Sequence, residues 1–370
     1  VTWRTDKTVA KAVAQIAEAK VNSKFAGDAM TVDAVSEAFD LGQYKRNSSL
    51  IVHYHSVRFQ GLKPDTLYVY RVGDGSKHWS EWIQFRTAKS SYAPIQFVYF
   101  GDAQNDILDH WSRVIRMAYQ TAPNASFAIH AGDLVNIAHR DHERAQWFKA
   151  GGFLHSQWTA IPAVGNHEFS AVNGGPRRVS IQWRPQFTLP VEKSLDPKLH
   201  ETVYTVDYQD VQIIVLNSTD NLESQTKYLE NQLKNSTAKW KIVTCHHSVF
   251  SPARGRDFKF ARENWKPLLD KYHVDLVLNG HDHTYARGHV PVRTSDGDTT
   301  ELGTVYVTSV SGPKQYGLDR KQILAYKSQG YQSDKTAEQT QFFQVITIED
   351  NTLSYMAYTV LGDEYDRATI

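Results

Sequence analysis

The chain has 370 residues, a net charge of +1 and a single cysteine, Cys245. The near-neutral balance gives no reason to expect nucleic acid or an anionic membrane as a partner, and no apolar run reaches the ~18 residues of a membrane-spanning helix. One cysteine excludes an intrachain disulfide, and with 41% hydrophobic and 22% charged residues the core is large enough to do without one.

Residues 1–88 are predicted to be all-β. The chain opens on Val1-Thr2-Trp3-Arg4-Thr5, which reads as the middle of a strand, so an upstream strand or targeting segment is expected to have been removed. Ile51-Val52-His53-Tyr54 and Leu67-Tyr68-Val69-Tyr70-Arg71-Val72 are rich in β-branched and aromatic residues, and Gly61-Leu62-Lys63-Pro64-Asp65-Thr66 between them is turn-rich. Gly73-Asp74-Gly75-Ser76 is a further turn, and Trp82-Ile83-Gln84-Phe85-Arg86-Thr87 a closing strand. Short strands at this spacing predict a β-sandwich. Ala88-Lys89-Ser90-Ser91 reads as a linker, and residues 92–370 as a second domain.

From Pro94 strands alternate with helices. Ile107, Trp111, Val114, Ile115 and Ala118 fall on one helical face, as do Tyr228, Leu229 and Leu233, and as do Trp265, Leu268, Leu269 and Tyr272. This predicts layered α/β structure with the sheets inside. Gly303-Thr304-Val305-Tyr306-Val307-Thr308 and Phe342-Phe343-Gln344-Val345-Ile346-Thr347-Ile348 are less regularly followed by helices, so the sheets are expected to be mixed.

Five apolar runs end in metal-ligand residue types. They lead into Gly101-Asp102, Gly132-Asp133, Gly165-Asn166-His167-Glu168, Cys245-His246-His247 and Gly280-His281-Asp282-His283. Ligands collect outside the carboxyl ends of strands in open α/β sheets, so five such ends converging would build a metal centre. Val211-Gln212-Ile213-Ile214-Val215-Leu216 is an equally good strand and ends in Asn217-Ser218-Thr219, so being a strand here does not itself bring ligands. Carboxylate and imidazole donors suit zinc, iron and manganese. Two Asp, one Asn and three or four His exceed the four ligands of one tetrahedral zinc, which favours two metals sharing a carboxylate.

In order, spacing and flanks the five motifs resemble the calcineurin-like metallophosphoesterase superfamily. Residues 62–87 resemble the end of a fibronectin type III domain, and with that segment in front the chain looks like the purple acid phosphatase group. The resemblance implies an α+β chain: a fibronectin III-like β-sandwich, then a four-layer α/β/β/α domain. It implies hydrolysis of phosphomonoesters by in-line attack of a hydroxide bridging two metal ions. Asp102 and His283 would bind the first metal, Asp133 would bridge, and Asn166, His246 and His281 would bind the second. His167 would face the substrate and protonate the leaving group. Gln104, Asn166, Arg254, Arg256 and Tyr285 are candidate substrate contacts. His247, next to a ligand on a strand, is expected to point to the opposite face. Arg287, near a ligand loop, is expected to be a solvated surface arginine.

Two positions depart from the family pattern. The purple enzymes carry a Tyr three residues after the bridging Asp, where this chain has Asn136, so a colourless protein is expected. Non-purple relatives offer a His two residues after the first Asp, where this chain has Gln104. Asn136 through its carbonyl, or His139 swinging in, are candidates for completing the first site; Gln104 is a candidate for facing the substrate. The rival readings are a phosphodiesterase acting on a cyclic nucleotide, glycerophosphodiester or lipid headgroup, and a binding or adhesion protein with a vestigial metal site. The loops that would separate mono- from diesterase, 170–184 and 252–262, carry no family signal. The partner expected is a small-molecule phosphate ester, with the β-domain as scaffold or homodimer surface, and the resemblance implies a secreted or periplasmic protein.

Overall fold

Alternate side chains along the central strands enter different cores. Phe97 and Tyr99 lie in one buried cluster with Ile213, Val215, Ile242, Leu276 and Val305, while Val98 and Phe100 lie in another with Trp111, Val114 and Ile115. A strand buried on both faces reads as a continuous apolar run for this reason. The computed structural model describes residues 1–44, 50–171, 174–293 and 300–370.

The second domain has two mixed sheets packed face to face. One carries six strands in the order Thr159–Pro162, Phe127–His130, Ile95–Phe100, Phe342–Glu349, Thr352–Thr359, Glu364–Thr369. The other carries seven, in the order Tyr204–Tyr208, Val211–Val215, Trp240–Thr244, Leu276–Asn279, Thr300–Thr308, Tyr285–Arg293, Gln332–Ala337. Helices Ile107–Thr121 and Asp141–Gly151 cover the first sheet through Trp111, Ile115 and Trp147. Helices Leu222–Asn235 and Lys266–Lys271 cover the second through Leu229, Leu233 and Leu269. The result is the expected α/β/β/α layering. A polar clamp joins the sheets through their shared core: Arg287 donates to both oxygens of Asp366 at 2.8 and 3.0 Å, and the Tyr285 hydroxyl donates to the same carboxylate at 2.6 Å.

The N-terminal domain is a sandwich of two antiparallel sheets. Strand Ile51–Ser56 is central to a three-stranded sheet, and Val13–Glu18 and Leu67–Gly73 are central to a four-stranded one. Tyr70 donates to the Ser156 carbonyl at 2.7 Å and Arg4 pairs with Asp141 at 2.5 Å, tying the sandwich to the second domain. Among the described residues no helix is long and apolar enough to cross a membrane.

Candidate metal centre

Strands Ile95–Phe100, Phe127–His130 and Thr159–Pro162 run parallel to one another, as do Trp240–Thr244 and Leu276–Asn279 in the facing sheet. Their carboxyl ends bring Asp102, Asp133, Asn166, His246, His281 and His283 together. The turns that do so are strained. Gly132 has φ +89°, and a Cβ there would lie 2.7 Å from Gly165 N and 2.8 Å from His246 Nδ1. Asp133, His281 and His283 also have positive φ (50°, 71° and 49°), each costing about 1 kcal/mol or more that the surroundings must offset.

Glu168 supplies part of that offset. Its carboxylate accepts three backbone N–H groups, from Asp133 at 2.9 Å, Leu134 at 3.0 Å and Gly165 at 2.7 Å. Burial and the neighbouring Asp133 push Glu168 up to about 7. Asp133 is further fixed by the His167 N–H, which donates to Oδ1 at 2.8 Å.

Asp133 Oδ2 is then shared. His246 Nε2 lies 3.2 Å from it, and His246 Nε2 is in turn 3.1 Å from both Asn166 Oδ1 and His281 Nδ1. On the other side stand Asp102 and His283, with His283 Nε2 3.2 Å from Asp102 Oδ2. Asp133, His246 and His281 form one set of potential metal ligands and Asp102, Asp133 and His283 a second, the donor atoms of each lying within 4.8 Å of one another. Two observations show that these residues fit a pair of cations. His246 donates through Nδ1 to the Ala131 carbonyl at 2.8 Å and His283 through Nδ1 to the Lys314 carbonyl at 2.8 Å, which leaves each Nε2 lone pair aimed inward. Asp102 Oδ2 is buried and accepts no hydrogen bond.

The charges point the same way. Burial pushes His246 down, yet Asp133 and Asp102 outweigh it and raise the ring to about 9. Burial raises Asp102, but His283 and His246 reverse this and hold it well below the usual carboxylate range. Burial and the adjacent His246, His247 and Arg256 push His281 far down. Two buried carboxylates thus draw positive charge into the centre.

Other expected residues fall on both sides of the line. His167 donates through Nδ1 to the Asn136 carbonyl at 2.6 Å, leaving Nε2 3.9 Å from Asp133 Oδ2, and its side chain is 27% exposed, so that nitrogen is open to a substrate. Asn136 serves through its main chain, since its N–H donates to Glu143 at 2.8 Å and its carbonyl takes the His167 ring. His139 does not swing in; its ring is buried and stacked on Tyr44 at 4.2 Å. Tyr285 is fully buried and bonded to Asp366, so it lies beneath the site and lines no cleft. Arg287 is occupied by Asp366 and by Asp334 at 2.7 Å, so it is a buried clamp rather than a solvated arginine. Gln104 is fully buried, its Nε2 3.1 Å from Asp133 Oδ2.

A cleft of about 620 Å³ opens beside the second ligand set, lined by His247, Arg254, Arg256, Asp257, His281 and Tyr316. His247 therefore faces the cleft, contrary to the alternation expected of a strand. Strand Trp240–Thr244 has already ended, and Ser218 holds the His247 ring at 2.8 Å. The strand Val211–Val215, which carries no ligand, contributes to the site through this serine. Arg256 contacts the His281 ring, donates to the Tyr316 hydroxyl at 3.2 Å and lies 4.7 Å over the Tyr316 ring. Arg254 is exposed at the mouth. Tyr316 and Lys314 sit on the loop after strand Thr300–Thr308, a further parallel strand end that no ligand-type residue marks in sequence.

Residues 95–285 match the calcineurin-like phosphoesterase family. The chain belongs to that family. Residues 1–87 match the purple acid phosphatase N-terminal domain, which places this chain in the purple acid phosphatase-like group. It is 29% identical over 306 residues to an uncharacterized protein of Mycobacterium tuberculosis, covering 72% of this chain and 56% of the relative. It is 25% identical over 291 residues to purple acid phosphatase 23 of Arabidopsis thaliana, covering 70% of this chain and 62% of the relative. The chain thus spans less than two thirds of the length of these curated relatives. Its fold resembles purple acid phosphatase PPD1 from yellow lupin (Lupinus luteus) seeds, with TM-score 0.76 and 18% identity, covering 100% of this chain and 71% of PPD1. It also resembles PhoD, with TM-score 0.62 and 12% identity, covering 98% of this chain and 86% of PhoD.

Proposed function

We propose that this chain hydrolyses phosphate esters, with phosphomonoesters preferred, residues 92–370 carrying the chemistry and residues 1–88 acting as scaffold. The observation that carries the reading is the sharing of one carboxylate, Asp133, by two ligand sets. Asp102, Asp133 and His283 would hold one metal ion, and Asp133, Asn166, His246 and His281 the other, drawn from iron, zinc and manganese. Such a pair, when bound, supplies Lewis acidity toward phosphate oxygens and acidifies water near neutral pH.

The side chains do the rest. Glu168 fixes the Asp133 turn, so the shared carboxylate needs no reorganisation during the reaction. The Asn136 carbonyl holds the His167 ring so that Nε2 lies beside Asp133 on a solvent-reached side chain, where in its protonated form it would hand a proton to the departing alcohol oxygen. Arg254 and Arg256 outnumber Asp257 in the cleft lining, and this excess of positive charge suits a phosphate dianion better than a diester monoanion. Family membership supports export to the periplasm or the exterior, which fractionation of expressing cells tests.

The reading is tested with p-nitrophenyl phosphate and bis-p-nitrophenyl phosphate, several metals, wild type and Asp133→Asn. The monoester should give the higher kcat/KM, and Asp133→Asn should lower kcat at least about 100-fold. A large preference for the diester replaces the monoester assignment. Activity that survives Asp133→Asn overturns the shared-carboxylate argument. Metal-replete protein inactive on both esters would support a binding role instead.

A further inference from the structure

Gln104 sits in the middle of the first ligand set. Its amide nitrogen lies 3.1 Å from Asp133 Oδ2 and 3.0 Å from His283 Nε2, two of the three donor atoms that would meet a metal there. Its amide oxygen is buried and accepts no hydrogen bond. The –NH₂ group thus presents partial positive charge to lone pairs suited to a cation, and leaves a carbonyl oxygen unused. A buried, unsatisfied carbonyl is costly, so this arrangement is held in place by what the nitrogen gains.

The side chain has little room to withdraw. Gln104 is fully buried and its N–H donates to the Asp133 carbonyl at 3.1 Å. Gly312 packs against the backbone of this segment, close enough that a Cβ there would lie 2.7 Å from the Gln104 main-chain carbonyl oxygen, so the main chain that carries the side chain is fixed. A half-turn of the terminal torsion is still open, because that torsion is broad and nearly two-fold, and it exchanges Nε2 for Oε1 with almost no change of shape. Without a cation the exchange sets a carbonyl oxygen against a carboxylate oxygen and a ring lone pair. With one, it adds an oxygen ligand and satisfies Oε1.

We propose that Gln104 binds the first metal through Oε1, by an amide turn coupled to metal entry. This rests on the two-metal reading above. The first set then offers three oxygens (Asp102, Asp133, Gln104) and one nitrogen (His283), while the second offers two oxygens and two nitrogens. Oxygen-rich sets suit manganese and magnesium better than zinc, so the first site should favour Mn²⁺ more strongly than the second does.

The test titrates Mn²⁺ into chelator-stripped protein by calorimetry, with electron paramagnetic resonance reporting coupling between bound ions. Wild type should bind two Mn²⁺. Q104L should keep one site at wild-type affinity and weaken the other at least about tenfold, with loss of the coupled signal. Q104E, which offers a charged oxygen at the same reach, should restore both sites and tighten the first. Q104H should shift that site's preference from Mn²⁺ toward Zn²⁺. Two Mn²⁺ bound by Q104L at wild-type affinities overturn the proposal. Should Q104L not fold, an unchanged first-site affinity in Q104E does the same. A wild-type chain that binds fewer than two Mn²⁺ instead brings down the two-metal reading, and this inference with it.

Discussion

Glu168→Gln isolates what holds the shared carboxylate in position. Glu168 Oε2 takes the N–H groups of Asp133 and Gly165, and Oε1 takes that of Leu134. Glutamine has one carbonyl oxygen. If it replaces Oε2, two of the three bonds survive and the amide –NH₂ faces the Leu134 N–H, donor against donor, in a fully buried place. Losing one charge-assisted bond and stranding a buried donor costs about 3 kcal/mol, or roughly 4–5 °C in Tm for a unit of this size. The bonds go to backbone, so the loss should appear with chelator present as well as without. Melting should be followed by circular dichroism at pH 8, above the value of about 7 to which Glu168 is raised, so that the ionised form is compared. Activity on p-nitrophenyl phosphate should fall about tenfold or more, because Asp133 is no longer held in one orientation. A variant that melts within about 1 °C of wild type in chelator would refute the claim that Glu168 holds these turns.

Arg287→Met leaves Asp366 buried with its main partner gone and should cost about 3–5 kcal/mol in urea unfolding, with kcat little changed; adding Asp366→Leu should recover part of it. Burial holds His155, stacked 3.9 Å from Trp147, down at about 4 against an ordinary 6.5. Its neutral ring therefore contributes stability that is complete above pH 6.5 and lost as pH falls through about 4. His155→Phe should flatten the decline in stability measured between pH 7.5 and 4.5, and an unaltered decline would contradict the assignment. Burial pushes the Cys245 thiol up to about 12, so Ellman's reagent at pH 8 should find no thiol in the native protein and one per chain in denaturant.

The sequence by itself determined the candidate ligand residues and the layering. Asp102, Asp133, Asn166, His246, His281 and His283 each follow an apolar run, and a strand buried on both faces announces itself by continuous hydrophobicity. The helices carry their apolar stripes just as openly. What tertiary structure decided were the contacts that cross between strand ends. Tyr316 and Lys314 follow a strand with no ligand residue after it, yet that strand pairs parallel with Leu276–Asn279 and so delivers its loop to the same edge. His247 looked outward because strand alternation was assumed to continue past Thr244, where the backbone had already turned. Tyr285 was a candidate substrate contact and Arg287 an expected surface arginine, both from their nearness to His283, but the facing sheet supplies Asp366 and draws both into the core. Sequence separation hides such partners: Glu168 reaches back 35 residues to Asp133, and Gln104 meets His283 across 179. Local hydrophobic pattern records which face of an element is buried. It carries no record of which distant chain segment buries it, because that depends on how the two sheets pack.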